Sequence, residues 1–427
     1  MKLYLENIGR LSNTEIIIDG ITVIAGKNGT GKSTVGKSLY SMFYSFYDYK
    51  EKIDDLRKNM IISEIRRRTS SFFIRSINGD LINSFLINLY ENRNEYREDD
   101  EKLKKHIIEF LNEVDSLKEY NIPSKSSSDD EVDQELIDAV LEILFMNDDK
   151  LLSYIIKQTF SYEFNNQIKN LANIDKNSVI DVQIKDTNLR VNINESNNFS
   201  VNNPILINKK IVYIDDPYIV DEISIYPYYD QSILDFNNHR DDLINLLNKD
   251  KSPSSLLIDE SLSIIDDHLN KASKINILKS NDRYFYNSED DDQGKIDIKN
   301  ASTGLKTFII IKMLLENGSL QKNGTIILDE PETHLHPDWQ IIFAELIVLL
   351  NKYLGMHILI NSHSPYFVRA IEVYSAKHEV ADKCRYYLSY NNHDTGLSDI
   401  KEVSESIDEI YSKLAEAFDI LEQDSVN

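Results

Sequence analysis

The segment GKNGTGKS, Gly26 to Ser33, carries glycines, a lysine and a hydroxyl residue at the spacing G-x-x-x-x-G-K-[ST], which is suited to holding phosphates. Glycines let backbone N–H groups close around phosphate oxygens, and a helix N-terminus beyond them favours anions. Lys32 is then placed to reach the terminal phosphates and the Ser33 hydroxyl to ligate magnesium. Gly26, Asn28, Gly29, Gly31, Lys32, Ser33 and Thr34 are the candidate nucleotide-binding residues, and ATP and Mg2+ the expected cofactors. A second run, TIILDEPETHLHP from Thr325 to Pro337, ends an apolar stretch in two acids. Asp329 would hold magnesium, directly or through water, and Glu330 sits where a water attacking the γ-phosphate needs a carboxylate to orient it, so hydrolysis is expected as well as binding. A third run, HILINSHSP from His357 to Pro365, places His363 just past another apolar stretch, where an imidazole could contact the γ-phosphate and report its presence. His334 and His336, two apart, have no third partner at metal-site spacing and read as structural or interface residues rather than zinc ligands.

These groups need strands and helices to hold them. Leu3 and Leu5, then Ile16 and Ile18, alternate with polar neighbours, and Ile21 to Ala25 is a continuous apolar run of buried-strand length. Past the glycine loop, Val35, Leu39, Met42, Phe43 and Phe46 recur at spacings of three and four, one apolar stripe on a helix. Strand, loop and helix follow in phosphate-binding order. From residue 49 to 175 the text changes to charged amphipathic helices, interrupted by SKSSSDDE at Ser124 to Glu131, and this block reads as an inserted helical subdomain. Val179 to Val201 alternates again and predicts a small antiparallel sheet, followed by a strand at Lys210 to Ile214. From Asn300 the pattern is α/β: a helix over Ser302 to Glu316, a strand at Thr325 to Leu328, a helix opened by Pro337 and closed at Gly355, a strand at His357 to Ile360, and a helix from Pro365. A strand near Tyr386 to Tyr390 and a helix from Val403 to Leu421 end the reading. The boundaries are therefore 1–48, 49–175 and 176–427.

Composition narrows the function classes. With 41% hydrophobic and 28% charged residues in 427, the chain is globular and has no run of apolar residues long enough to span a bilayer. Glu6 and Arg10 stand where a signal peptide would need an apolar segment, so a cytoplasmic protein without membrane contact is expected. Cys384 is the single cysteine, which excludes an intramolecular disulfide, a paired-cysteine zinc site and a CxxC redox motif. Lys plus Arg is 47 against 71 for Asp plus Glu, a net charge of −24 that opposes non-specific binding to a phosphate backbone. Nucleic acid, if bound, needs a local patch. Arg66, Arg67, Arg68 and Arg75 could form one, although a solvated helix face balancing the chain's acidity is the preferred reading.

In order and spacing, GKNGTGKS, NASTGLKTF at Asn300 to Phe308, ILDEPETHLHP and NSHSP resemble the Walker A, signature, Walker B with D-loop, and switch-histidine motifs of ABC-type P-loop ATPases, in the OLD, RecF and SMC-like branch. The resemblance implies an α/β ABC-ATPase head carrying the helical insertion and a small antiparallel β subdomain. It also implies that Ser302 and Gly304 bind the γ-phosphate of a nucleotide held by the opposite subunit, in a homodimer with ATP sandwiched between heads. Leu305 departs from the Gln or Glu that many relatives carry there, and no lobe-connecting glutamine can be placed. The zinc-hook CxxC is absent, and with roughly 60 residues past the switch region a TOPRIM nuclease like that of OLD proteins is not expected. A compact ATPase of this kind resembles the ATPase components of bacterial anti-phage systems, the PtuA type of Septu and the AriA type of PARIS. That resemblance implies a sensor or scaffold controlling a separate effector, a nuclease or toxin. The alternative is a RecF- or SMC-like DNA repair or maintenance ATPase.

Overall fold

Alternating residues at the N-terminus form a hairpin of β1 (Lys2–Ile8) and β2 (Leu11–Ile17), whose Leu3, Leu5, Leu11 and Ile16 are fully buried. The computed structural model describes residues 1–68, 79–116, 132–223, 237–251, 260–272, 275–280, 283–288, 294–392 and 395–416. The SKSSSDDE stretch, Arg75 and the end of the expected C-terminal helix lie outside the described residues; that helix is seen over 408–416. The described residues form two compact units, one built from 1–47 and from those past 155, the other from those between 48 and 155.

The first unit is organised by a sheet in the order β6-β5-β4-β1-β2-β14-β13-β3-β12-β11-β7. Its strands are β3 (Ile21–Gly26), β4 (Ser178–Ile184), β5 (Thr187–Ile193), β6 (Phe199–Asn202), β7 (Ile211–Ile214), β11 (Thr325–Asp329), β12 (His357–Ser362), β13 (Cys384–Asn391) and β14 (Ser398–Glu402), with β1 and β2. Strands β13, β3, β12, β11 and β7 run parallel; β3, β11 and β7 are buried throughout and β12 and β13 mostly so, as parallel strands in the middle of a covered sheet are. The expected antiparallel strands over Val179 to Val201 are β4 to β6, but they are not a sheet of their own. β4 pairs with β1 from Lys2↔Gln183 to Glu6↔Val179, which covers an edge that would otherwise leave its N–H and C=O groups unpaired. The separate antiparallel sheet is β8 (Ile275–Ser280), β9 (Arg283–Ser288) and β10 (Ile296–Asp297).

Helices follow the sequence signals. α1 (Lys32–Phe46) buries Val35, Leu39, Met42 and Phe46, the stripe read from their spacing. The second unit contains α2 (Tyr49–Arg68), α3 (Gly79–Glu91), α4 (Arg93–Glu98), α5 (Asp100–Ser116) and α6 (Gln134–Leu144), around a core that includes Ile61, Ile65, Leu89, Leu103, Ile107 and Val140. In it Arg67 and Arg68 both pair with Glu64, at 2.6 and 2.7 Å, and Arg68 also pairs with Glu135 at 2.8 Å, so these two are committed to carboxylates of their own unit. α7 is Asp148–Glu163, and α8 (Ile219–Glu222), α9 (His239–Leu247) and α10 (Glu260–Ala272) lead to α11 (Thr303–Glu316). α12 (Pro337–Leu354) has Pro337 in its first turn and ends on Gly355 at φ 61°, the left-handed stop read from the sequence. α13 (Pro365–Lys377) is capped by Ser364, whose side chain accepts from Phe367 N. Among the described residues no helix is long and apolar enough to cross a membrane.

Candidate nucleotide site

Parallel strands bring their C-terminal ends to one place, where a sheet of this kind forms its ligand crevice. β3 ends in the glycine loop, β12 in Ser362 and His363, β11 in Asp329 and Glu330, and β7 in Asp215. The register sets Asn361 opposite both Asp329 and Ile24, and Ile214 opposite Leu328, so Asp215 follows level with Asp329. Gly31 precedes α1 at φ 87°, and a Cβ there would stand 2.7 Å from Leu11 Cδ2, so only glycine serves. The loop carries Asn28 and Gly29 exposed, and Ser33 and Thr34 in the first turn of α1.

Lys32, Glu330 and His363 come together. The Lys32 side chain is 4% exposed; its Nζ donates to the Gly26 and Lys27 carbonyls at 2.9 and 3.0 Å and stands 3.6 Å from Glu330 Oε1. Burial lowers its pKa, while Glu330 and Asp329 act in the opposite direction. His363 Nδ1 lies 3.4 Å from the same Glu330 oxygen. That pairing holds the Glu330 carboxyl below its ordinary range and the His363 imidazole above its own. Glu330 itself sits at φ 50°, a left-handed conformation that costs a non-glycine residue about 1 kcal/mol or more, and its N–H donates to Asn361 O at 2.8 Å. The Glu330 carboxylate thus stands between a lysine and a histidine.

Asp329 is nearly buried and doubly held: Tyr213 OH donates to Oδ2 at 2.9 Å, and Asn361 Nδ2 donates to Oδ1 at 3.0 Å. Each oxygen accepts one of these donors and keeps a lone pair for a cation. Ser33 and Asp329 line the same cleft of about 420 Å³, with Glu330, Asp215, Asp216 and Thr307, an oxygen-rich donor set that fits magnesium beside a phosphate. Ser302 and Gly304 are outside that lining. Ser302 is the exposed N-cap residue of α11 and its side chain makes no capping hydrogen bond, whereas Gly304 is buried, where a Cβ would meet His334 O and the Trp339 ring at 3.1 Å. His334 stands edge-on to Tyr218, and His336 caps α12 by accepting from Asp338 N at 3.4 Å.

Several groups at the site were missed in the sequence. Glu332, 2% exposed, accepts through Oε1 from Ser362 Oγ at 2.6 Å, His363 N at 3.0 Å and Ser364 N at 3.2 Å, and so fixes the turn that carries the histidine. Burial raises its pKa. The third acid of DEPE was the available signal. Asp215 pairs with His239 Nε2 at 3.0 Å and with Arg240 at 3.4 Å, and His239 Nδ1 meets Glu163 Oε1 at 2.7 Å. Burial works against charge on His239, but Asp215 and Glu163 outweigh it and push its pKa up to about 9. No local pattern marks that set.

No curated protein matches the chain. Among solved structures it is similar to the SMC head domain from Thermotoga maritima, with 11% identity and a TM-score of 0.41 over 94% of this chain and 98% of that one. It is also similar to an Smc head bound to the C-winged helix domain of ScpA, with 11% identity and a TM-score of 0.45 over 95% and 97% of the two chains. A third is an Smc head domain with an extended coiled coil bound to the C-terminal domain of ScpA derived from Pyrococcus furiosus, with 11% identity and a TM-score of 0.43 over 99% and 98%. The AAA ATPase domain model matches residues 1–368, which takes in the glycine loop, the Asp329–Glu330 pair and His363, and the chain therefore belongs to that family of P-loop ATPases.

Proposed function

We propose that the protein binds and hydrolyses ATP as an ABC-type ATPase and closes head-to-tail on MgATP as a homodimer. The observation that carries this reading is the convergence of Lys32, Glu330 and His363 within 3.6 Å contacts at the ends of adjacent parallel strands. Lys32 would exchange the carbonyls of Gly26 and Lys27 for phosphate oxygens, and the backbone of Gly26, Asn28, Gly29, Gly31 and Thr34 would close around the rest. Ser33 and Asp329 would hold magnesium, which when bound neutralises charge on the terminal phosphates. Glu330, kept ionised by His363, orients the attacking water, and His363 stands ready to exchange that carboxylate for the γ-phosphate. The exposed Ser302 hydroxyl at a helix N-terminus is suited to an anion supplied by another subunit, with Gly304 letting α11 pack closely on the His334 to Trp339 segment.

The test uses the head-to-tail geometry. Chains carrying Lys32→Ala and Ser302→Arg, both with Glu330→Gln, are coexpressed with different tags and the mixed dimer is isolated. One of its sites carries both lesions and the other neither, so it should trap one nucleotide per dimer, while each homodimer traps none. A mixed dimer that traps no more than the homodimers overturns the Ser302 assignment and the dimer together.

At the cellular level we assign the protein to the control of a separate effector in bacterial anti-phage defence. The support is the motif set on a compact head and the net charge of −24, which disfavours a general DNA-binding role. Copurification of a nuclease or toxin, released or retained according to nucleotide, is the expected result. ATP-dependent retention of duplex DNA with a steep salt dependence would favour the DNA-maintenance reading instead.

A further inference from the structure

Tyr213 connects the magnesium carboxylate to groups that play no part in the motifs. It is completely buried, its hydroxyl donates to Asp329 Oδ2 at 2.9 Å, and its ring stacks on His239 with centroids 4.2 Å apart and planes 22° apart. α1 makes room for it: a Cβ on Gly36 would stand 3.1 Å from the Tyr213 hydroxyl. His239 in turn is fixed by Glu163, whose Oε1 meets ring Nδ1 at 2.7 Å and whose Oε2 accepts from the His239 backbone N–H at 3.1 Å, while ring Nε2 stands 3.0 Å from Asp215 Oδ2 as an ion pair. Tyr213 lies in β7 and Asp215 follows directly after the strand's end at Ile214, so one short segment brings both to His239.

We propose that His239 is a positioning residue of the ATPase centre, which, held between Glu163 and Asp215, braces Tyr213 against Asp329. The inference rests on the reading of Asp329 as the carboxylate that holds magnesium. A stacked ring cannot tilt without losing contact, and a fixed phenol keeps one Asp329 oxygen oriented so that the remaining lone pairs face the cleft. Outer hydrogen-bond partners of metal carboxylates act in this way, and their loss typically changes metal affinity by about 10–100-fold. Tyr40 packs edge-on to His239, and Lys37 approaches Glu163 to 3.9 Å, so the carboxylates keep cationic company if the imidazole is replaced.

The experiment measures binding of a fluorescent ATP analogue as magnesium is titrated, and the same binding in excess chelator, for wild type, Tyr213→Phe, His239→Gln and the double variant. In each variant alone the magnesium concentration for half-maximal binding should rise about tenfold, while binding in chelator, which Lys32 and the loop provide, stays as in wild type. Because both changes act through one hydroxyl, the double variant should rise no more than the larger single change. Wild-type magnesium dependence in both single variants, or multiplied effects in the double variant, overturns the positioning role. If His239→Gln does not fold, Tyr213→Phe with Glu163→Gln, which loosens His239 from outside the cleft lining, gives the same reading. A wild-type protein whose nucleotide binding ignores magnesium would instead overturn the assignment of Asp329 on which this role depends.

Discussion

The two sides of the cleft hold their charged groups by different means. On the loop side, Lys32 is tied to carbonyls five and six residues before it, so one short segment both supplies the cation and fixes it. On the β7 side, Asp215 is held by His239 and Arg240, which belong to α9, and His239 is held by Glu163 at the end of α7. The first side is a local device whose spacing carries its chemistry. The second is an ionic network assembled by tertiary packing, and it carries a buried histidine that stays protonated because two carboxylates surround it. A local device fails by losing a contact, whereas the network fails by leaving charges buried without partners.

The comparison can be broken at its most demanding point first. Glu330→Gln keeps size and hydrogen bonding but removes the charge that His363 and Lys32 now face, so turnover should fall at least about a hundredfold with MgATP still bound. Phosphate release assays and nucleotide retention read the two parts separately, and normal turnover would remove Glu330 from the mechanism. Next, Lys32→Ala should abolish the thermal stabilisation by MgATP, which at a hundredfold excess over the dissociation constant amounts to about 2.7 kcal/mol. Unchanged stabilisation would place the nucleotide elsewhere.

The β7 side answers to smaller changes. Gly36→Ala forces a methyl to within 3.1 Å of both the Tyr213 hydroxyl and Ile327 Cγ2, a crowding expected to cost about 1–3 kcal/mol in urea unfolding. Adding Tyr213→Phe removes the crowded oxygen and should recover part of that loss; strict additivity would mean the two residues do not press on each other. The smallest effect is in pH dependence. The folded pKa of His239, about 9, lies above its ordinary value of 6.5, so its contribution to stability is fully present below 6.5 and is lost as pH rises through about 9. The urea midpoint should decline across that window in wild type and decline less in His239→Gln. Equal slopes would show that the imidazole does not titrate in the folded protein.

Most of the loop side and the strand ends was legible in the sequence. GKNGTGKS between an apolar run and a helical stripe places Lys32 and Ser33 at the start of a helix, and acids or a histidine immediately after apolar runs place Asp329, Glu330 and His363 at the ends of strands. What such patterns leave open is which strands are neighbours. Val179 to Val201 alternates correctly for antiparallel strands, yet period two is blind to whether the partner of β4 is β1 or nothing, and the sheet joined them.

The sequence by itself determined the local chemistry, since each motif lies within a few residues whose backbone path its own glycines, prolines and apolar neighbours dictate. It determined the buried face of α1 and the ends of α12 for the same reason, period and caps being properties of the segment alone. Only the tertiary structure decided that β7 lies beside β11, and with that pairing it decided that Tyr213 would reach Asp329, that Asp215 would line the cleft, and that Glu163 and His239 would meet 76 residues apart in the chain. Parallel pairing is set by crossover connections and by what the helices between the strands can bury, so the neighbours of a carboxylate in such a sheet are fixed by the packing of the whole layer.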